Sequence, residues 1–454
     1  MSEFFCKRRV FSLLGIGLGT IVMGLVFTMV NTTIPLIQKD LGIPLSHIQW
    51  MMLSFGMINC AFLVTSGRLA DIYGRKKIFL LGLSLSGVGM VVGGMSQGIG
   101  WLIVSMCFAG IGNAILLPVS QAMLVTQFPE SQKSRAVAIW ASTTAYAMAV
   151  GPILAGVLSE LLGWRGVFWC MIPLFITSLS FVCMYTQESK NTVDLPRIDL
   201  KGMGLLAFSL ASFIFLVTEF KSVNYFVSGF LLVSSIVGFS ILWKHSHIFP
   251  FPILLPAIVR KKFFLGAAMA GACLVFYVWS IYFLFPTYLQ SVRHFSPMLT
   301  GVLMLGITVP LVFFSTLIGR WYAPFKAWVF ISTGFLFLLA SSLFQFFFSD
   351  GSSLLHILFA TVLTGIGYVF ICGPTATAAI SIVPLYRAGV ASGTFVTFQE
   401  IGGSLGLAIV VTIVRFESSL IEGIQKGTVA LCLVSVLGLL CAFFLRAQKS
   451  EPLV

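Results

Sequence analysis

Long apolar segments without charge limit what this chain can fold into. The segments from His47 to Ser66 and from Ile78 to Gln97 contain no Lys, Arg, Asp or Glu. Each has about the 20 residues that a helix needs to cross the hydrocarbon core of a bilayer. Only 9% of the 454 residues are charged, whereas soluble domains carry about 25%. The sequence therefore predicts an all-α, polytopic membrane protein.

The same pattern recurs along the whole chain and predicts fourteen transmembrane spans. The longest polar stretch runs only from Gln187 to Lys201, so no soluble domain is inserted. The uncharged stretch from Val10 to Gln38 is too long for the apolar region of a signal peptide and is read as the first span. The predicted spans cover residues 11–36, 47–66, 78–97, 101–126, 135–159, 166–186, 202–219, 225–243, 263–289, 298–319, 325–347, 353–381, 388–414 and 427–445.

Positive charge is distributed unevenly among the loops between these spans. Alternate loops and the two termini hold 21 of the 27 Lys and Arg residues, and the other loops hold six. The positive-inside rule assigns the richer set to the cytoplasm. We therefore expect both termini to be cytoplasmic in a multi-pass protein of the cell (inner) membrane. The net charge of +13 does not indicate a nucleic-acid partner, because the cations lie in short loops between apolar runs.

The sequence favours neither an enzyme nor a metal or cofactor protein. The nine cysteines are scattered without a C-x-x-C pair, and the spans contain no cluster of His with acids or of Ser with His. No G-x-x-x-x-G-K-[ST] loop is present, so ATP is not expected to drive the protein directly. We expect no catalytic site, no metal and no cofactor.

The polar hairpin Gly67–Lys77, GRLADIYGRKK, carries the most specific signal. Asp71 and Arg75 are four residues apart, so on a helical turn they would share a face and could pair. Gly67 and Gly74 permit close backbone approach or a positive φ. The pattern resembles the loop signature of the major facilitator superfamily, which lies between its second and third spans.

Further stretches resemble the fourteen-span drug:proton antiporter family of major facilitators. The resemblance implies two six-span halves, residues 1–190 and 263–454, with a linker and inserted spans 7 and 8 in residues 191–262. The matching segments are VNTTIP from Val30, WMMLSF from Trp50, GIGNAILLP from Gly110, AVGPILAG from Ala149, GWR from Gly163, IDLKGMG from Ile198, FPILLPAIVRKKFF from Phe251 and ASGTFVTFQEIGGSLG from Ala391.

The resemblance also implies a conformational latch at the Gly67–Lys77 loop. Asp71 would dock near the N-terminus of span 13, around Gly389, where a helix dipole favours a carboxylate. Arg75 would pair with Glu130 at the end of span 4. These contacts would hold the two halves together on the cytoplasmic side.

A Gly-Pro pair in span 5 predicts a helix kink. Pro152 lacks a backbone donor, and Gly151 and Gly156 add a small-residue face for close helix approach. In the family this motif marks antiporters, which favours export. Gly373-Pro374 in span 12 resembles the corresponding kink of the second half.

The centre of the protein departs from the family pattern. Val26, Met106 and Gln399 stand where the family usually has an acid and two arginines. This loss of charge makes a strongly cationic substrate less favourable. It also removes charged groups of the family's usual route for proton coupling. Glu400 lies about midway through span 13, and an ionisable group at membrane depth predicts a functional role. Glu400 is therefore the candidate for proton coupling.

Other polar residues in the spans are candidates for a central substrate cavity. They are Asn31, Asn113, Gln121, Tyr146 and Gln399.

These features together predict a secondary transporter that exports a small apolar or amphipathic, drug-like compound by proton antiport and alternating access. The expected partners are a small-molecule substrate, protons and the lipid bilayer; the expected state is a monomer, and a periplasmic adaptor is left open. One alternative is a metabolite or siderophore exporter or importer without proton coupling. Another is a membrane sensor or scaffold that does not transport, although the glycine-rich loop and the paired kinks favour moving halves.

Overall fold

The computed structural model describes residues 7–127, 130–190, 198–220, 223–250, 252–321, 327–382 and 388–446. All regular structure within these ranges is helical. The helices are α1 (Lys7–Leu41), α2 (Leu45–Tyr73), α3 (Arg75–Gly94), α4 (Ile99–Gln127), α5 (Glu130–Tyr185), α6 (Leu200–Glu219), α7 (Tyr225–Ile248), α8 (Pro256–Val259), α9 (Lys262–Thr287) with a π-helical turn (Tyr288–Val292), α10 (Pro297–Trp321), α11 (Ala327–Phe346), α12 (Leu354–Ser381), α13 (Ala388–Arg415) and α14 (Leu420–Phe443).

The segment labelled α5 contains two predicted spans that no loop separates. Its apolar part, Tyr146–Tyr185, has 40 residues, about 60 Å at 1.5 Å per residue and twice the hydrocarbon thickness. Gly163 breaks it with φ 70° and ψ 171°, so a single left-handed residue replaces the loop predicted at residues 160–165. Thirteen helices of the described chain are long and apolar enough to span a membrane. Dividing α5 at Gly163 gives the predicted fourteen.

Loops that the sequence assigns to the same side come together in the structure. At one end, the Gln127 side chain donates to the Gln187 carbonyl at 2.9 Å, joining the ends of α4 and α5. At the other end, Arg165, two residues after Gly163, donates to Asp40 at the end of α1 and to the Ser96 carbonyl after α3, both at 2.9 Å. Arg165 thus lies at the opposite end of the helices from Gln187, as expected if the chain turns at Gly163.

The chain divides into two compact units. The first comprises Met1–Met203 with Ser296–Gly301, and the second comprises Gly204–Phe295 with Val302–Val454. In the first unit α5 packs along α1 and α4 along α2 and α3; in the second α13 packs along α9 and α12 along α11. The boundaries of two six-span halves with an inserted pair remain a prediction.

A Gly-Ile-Gly sequence occurs at equivalent places in the two units. In α4, a Cβ on Gly110 would lie 2.8 Å from the Phe55 carbonyl of α2. In α12, Gly365 approaches the Ile307 carbonyl of α10 in the same way. Small residues permit this close approach, which stabilises helix pairs in lipid through van der Waals contact. The shared arrangement makes α12 the counterpart of α4.

Helix α6 is tied to α13 by a half-buried ion pair within the second unit. Arg415 Nη1 and Nη2 each donate to one oxygen of Glu219 at 3.2 Å, and Nη1 also donates to the Thr218 carbonyl at 3.1 Å. The side chains are 16% and 18% exposed, so solvent screens this two-point contact less than a surface pair. The ends of α6 and α13 are therefore held together.

Candidate functional site

The Gly67–Lys77 segment, called here the signature loop, is a sharp turn between two helices. Helix α2 ends at Tyr73 and α3 begins at Arg75, with Gly74 between them at φ 113° and ψ 131°. This backbone region strongly favours glycine. Gly67 has no such role: it lies inside α2, and a Cβ there would lie 3.8 Å from Pro118. Of the two glycines in the signature loop, Gly74 has the predicted positive φ, and Gly67 has neither a positive φ nor a close backbone approach.

Asp71 and Arg75 pair across this turn. Arg75 Nη2 and Nε donate to Asp71 Oδ1 at 2.8 and 3.1 Å. The predicted reason, neighbouring positions on one helical turn, is wrong, because the helix is interrupted at Gly74 between them. Both donors use Oδ1, so Arg75 leaves Asp71 Oδ2 available for another donor.

The other partners predicted for the latch cannot be placed. The side chain of Glu130 and the surroundings of Gly389 lie outside the described residues. The Arg75–Glu130 pair and the docking of Asp71 near Gly389 therefore remain predictions.

Glu188 was not predicted as part of the site, yet its carboxylate touches the signature loop. Its oxygens accept the backbone N–H groups of Lys76 and Lys77 at 2.9 and 3.2 Å. The contact joins residues 112 positions apart in the chain. One sequence feature could have indicated this contact. Glu188 is an acidic residue just after a predicted span, on the same predicted side of the membrane as the cationic signature loop.

Gly156 forms a backbone-to-backbone crossing in the first unit. A Cβ on Gly156 would lie 2.8 Å from Met298 Cα at the start of α10. The contact is reciprocal, since a Cβ on Gly301 would lie 2.8 Å from Ile153 Cα. The Gly-Pro segment of α5 thus crosses the first turns of α10, and both positions require glycine for this approach.

Gly151 and Pro152 lie on the same stretch of α5. A Cβ on Gly151 would lie 2.9 Å from Thr28 Cβ. Gly151 therefore allows α1 to pack closely against α5, as Gly156 does for α10. Pro152 is inside the helix, where its missing N–H leaves the carbonyl one turn earlier without its usual donor.

Gly373 and Pro374 do not occupy the corresponding place in the second unit. They lie in α12, the counterpart of α4, whereas the counterpart of the first part of α5 is α13. Among the described residues, no atom outside its own helix backbone lies within 4 Å of a Cβ built on Gly373. The predicted equivalence of the two Gly-Pro pairs is therefore not supported, because the second pair is on a helix with different neighbours.

The polar candidates for a cavity have different surroundings. Asn31 is 1% exposed; its amide donates to the Phe27 carbonyl at 2.8 Å, and its Oδ1 is buried without a hydrogen-bond partner. Asn113 of α4 donates to Asn59 of α2 at 3.0 Å. Gln121 and Tyr146 are exposed on α4 and α5. These four residues lie in the first unit, and among the described side chains only Asn113 is linked to another polar side chain.

The second unit contributes Gln399 and Glu400, which are partly buried on α13. Beside them, Gly402, Gly403 and Gly406 let α13 approach α9 closely; a Cβ on Gly403 would lie 2.8 Å from the Trp279 ring. Gln399 packs against α9, 3.3 Å from the position of a Cβ on Gly271. Glu400 thus sits on a helix whose position is fixed by close packing.

Two of the three residues that replace the family charges, Val26 and Met106, are buried and apolar. Val26 is 4% exposed and Met106 is 0% exposed. Burial of an unpaired charge at these places would be costly, so their apolar side chains suit an interior with little charge.

Comparison with known proteins identifies the family. The model of the Major Facilitator Superfamily matches residues 16–407. The chain belongs to the major facilitator superfamily. It is accordingly a membrane transporter of that superfamily, and the all-helical fold agrees with the resemblance read from the signature loop.

Relatives of this major facilitator include proteins named for multidrug resistance and for multidrug export. It is 28% identical over 407 residues to multidrug resistance protein Stp of Mycobacterium tuberculosis (strain CDC 1551 / Oshkosh), covering 89% of this chain and 75% of Stp. It is 24% identical over 405 residues to multidrug export protein EmrB of Escherichia coli (strain K12), covering 88% and 79%. A crystal structure of a POT family transporter in complex with 5-aminolevulinic acid has a TM-score of 0.71 over 96% of both chains, at 13% identity. That likeness concerns the fold.

Proposed function

We propose that this major facilitator exports a small, largely apolar or amphipathic organic compound by proton antiport. The Gly156–Gly301 crossing carries the proposal, because it lies in the segment that the family resemblance associates with antiporters. Because the two backbones approach without side chains between them, we expect this crossing to close or open as a unit. In alternating access, such a crossing would seal one side of the central site while the other side is open.

The apolar character of the substrate follows from the charge lost at the centre. Val26 and Met106 are buried and offer no ionic partner to a charged ligand. Asn31, with its buried carbonyl oxygen lacking a donor, offers one hydrogen bond. A largely apolar compound with a single donor group would suit these surroundings better than a permanent cation. The names of two relatives, multidrug resistance protein Stp and multidrug export protein EmrB, support a drug-like substrate.

Glu400 is the group that we assign to the proton. A carboxyl that binds a proton on one side and releases it on the other must be reached from both sides in turn, and Glu400 is only partly buried. The neighbouring Gln399 is neutral. Proton binding by Glu400 is therefore not opposed by a cation on the adjacent residue.

The Glu400→Gln variant tests this assignment in everted membrane vesicles. A pH difference of one unit can support about a tenfold concentration ratio when one proton is exchanged for one neutral substrate molecule. With an acidic interior, the unmodified protein should concentrate a neutral fluorescent amphipathic compound. Glu400→Gln should only equalise its concentration across the membrane, because the amide cannot release a proton.

Two control variants make the result specific. Glu400→Asp keeps a titratable carboxyl at the site, and Glu422→Gln removes an exposed carboxyl from α14. Both should keep the response to the pH gradient. Equal pH-driven accumulation by Glu400→Gln and the unmodified protein would show that another group carries the proton or that transport is not coupled.

A further inference from the structure

The N-terminus of α3 receives its cap from a distant part of the chain. The first N–H groups of a helix have no partner within the helix, and its dipole favours a negative charge there. Gly74 precedes α3 and has no side chain to supply a cap. The Glu188 carboxylate accepts the N–H groups of Lys76 and Lys77 instead. Glu188 thus acts as the missing capping group.

The residues on either side of Glu188 reinforce this contact. The Ser189 carbonyl accepts the Arg75 N–H at 2.9 Å, and Ser189 N–H donates to Glu188 Oε1 at 2.9 Å. Lys76 Nζ donates to the Cys183 carbonyl at the end of α5 at 2.7 Å. The start of the linker after α5 therefore lies directly on the first turn of α3.

Gly74 has a geometry that leaves room for Glu188. A Cβ on Gly74 would lie 2.6 Å from Glu188 Cδ and 2.8 Å from both carboxylate oxygens. The positive φ of Gly74 also turns the chain so that α3 starts beneath this carboxylate. The glycine of the signature loop and the acid of the linker thus form one structural unit.

The end of α4 is attached to the same place. Gln127 donates to the Gln187 carbonyl at 2.9 Å and accepts the Gln187 N–H at 3.4 Å. Because Gln187 and Glu188 are adjacent, the linker connects the ends of α3, α4 and α5. All of these contacts lie within the first unit.

We propose that Glu188 is a positioning residue for the signature loop. By capping α3 from the end of α5, it would fix the angle at which the chain leaves Gly74, and with it the place of the Asp71–Arg75 pair. The inference rests on the proposed latch function of that loop. Glu188 is exposed, so its contribution to the overall fold is small compared with that of the buried helix contacts. Its loss should alter the loop without unfolding the protein.

Hydrogen–deuterium exchange of the purified protein in nanodiscs measures the contact without any substrate. In Glu188→Gln and Glu188→Ala, amides at the first turn of α3 should exchange faster by about 5- to 30-fold, which corresponds to the loss of a helix cap. Glu160→Gln, which neutralises an exposed carboxylate on α5, is the matched control. Exchange unchanged from this control would overturn the contact itself.

Transport by the same variants then separates positioning from a purely structural role. The maximal rate should fall about 5- to 30-fold in Glu188→Ala while KM stays within about twofold, because Glu188 is not among the candidate substrate residues. Glu188→Asp should recover part of the rate. Gly74→Ala combined with Glu188→Ala should be no slower than Gly74→Ala alone, since both changes break one contact.

Hydrogen–deuterium exchange and transport test different parts of the proposal, so a negative result in each has a different meaning. Faster exchange with an unchanged maximal rate would confirm the cap and overturn its role in positioning. Additive losses in the double variant would overturn the pairing of Gly74 with Glu188. If the alanine variant does not fold, the nearly isosteric Glu188→Gln variant decides both points. Absence of transport in the unmodified protein would count against the proposed function, while exchange would still report on the contact.

Discussion

Gly156→Leu is expected to abolish transport, and Gly156→Ala to reduce it about tenfold, in protein that still inserts into the membrane. The reason is the crossing of α5 with the start of α10, where a Cβ on Gly156 would lie 2.8 Å from Met298 Cα. The atoms that oppose it belong to the backbone, so no side-chain rotation relieves the contact. Overpacking of this kind costs about 1–3 kcal/mol, which is about 5- to 150-fold in a two-state equilibrium. Initial rates of substrate efflux measure the effect.

Gly373→Ala is the matched control for this prediction. It replaces glycine by alanine in another helix that contains a proline, but at a position where a Cβ would meet, among the described residues, no atom outside its own helix backbone within 4 Å. Alanine in a helix is favoured over glycine by about 0.5–1 kcal/mol, so this variant should transport normally and be slightly more stable. Equal losses at Gly156 and Gly373 would mean that glycine flexibility in helices that contain a proline, and not the crossing, is what transport requires.

Asp71→Asn is expected to lower the transport rate about tenfold or more without affecting insertion. Asparagine fits the space but loses the charge that pairs with Arg75 at 2.8 Å and that the proposed docking at a helix N-terminus needs. A partly buried pair has more effect than a fully exposed one, and these side chains are 19% and 33% exposed. Substrate efflux, normalised to the amount of inserted protein, measures the loss.

The double exchange Asp71→Arg with Arg75→Asp distinguishes pairing from docking. It restores opposite charges across Gly74 but moves the carboxylate to the other side of the turn. If Asp71 acts by presenting Oδ2 to another helix, the double variant should remain as slow as Asp71→Asn. Recovery of normal transport would show that the pair alone matters and that the loop has no carboxylate to dock.

The sequence predicted the spans well because hydrophobic length is a local property. Segments such as residues 78–97 need about 20 apolar residues whatever their neighbours are, and α3 covers Arg75–Gly94. The boundary between spans 5 and 6 was less predictable. Hydropathy places a loop where the polarity changes, whereas the chain turns at Gly163 through one backbone conformation.

The candidate site was predictable where it is encoded in one short segment. Asp71, Gly74 and Arg75 lie within five residues, and the structure brings Asp71 and Arg75 together. Glu188 was missed because its partner N–H groups are 112 and 111 residues away and carry no side-chain signal. The crossing partner of Gly156 was missed for the same reason: Met298 and Gly301 belong to a helix far along the chain, and close backbone approach leaves no pattern beyond a glycine.

Gly373-Pro374 shows the opposite error. A matching dipeptide suggested a repeated kink, but the contacts of α12 relate it to α4 and not to α5. Helix neighbours, and not dipeptide identity, decide which positions of the two units correspond.

Proton movement in proteoliposomes is the most direct measurement of the proposed antiport by alternating access. Purified protein is reconstituted into tightly sealed liposomes that contain a pH-sensitive dye, with no initial pH gradient. A neutral amphipathic substrate is then added outside. We expect substrate entry to drive protons out and raise the internal pH, and Glu400→Gln to show substrate entry without this change. Substrate entry by the unmodified protein with no proton movement, or with protons moving in the same direction, would contradict the proposed antiport.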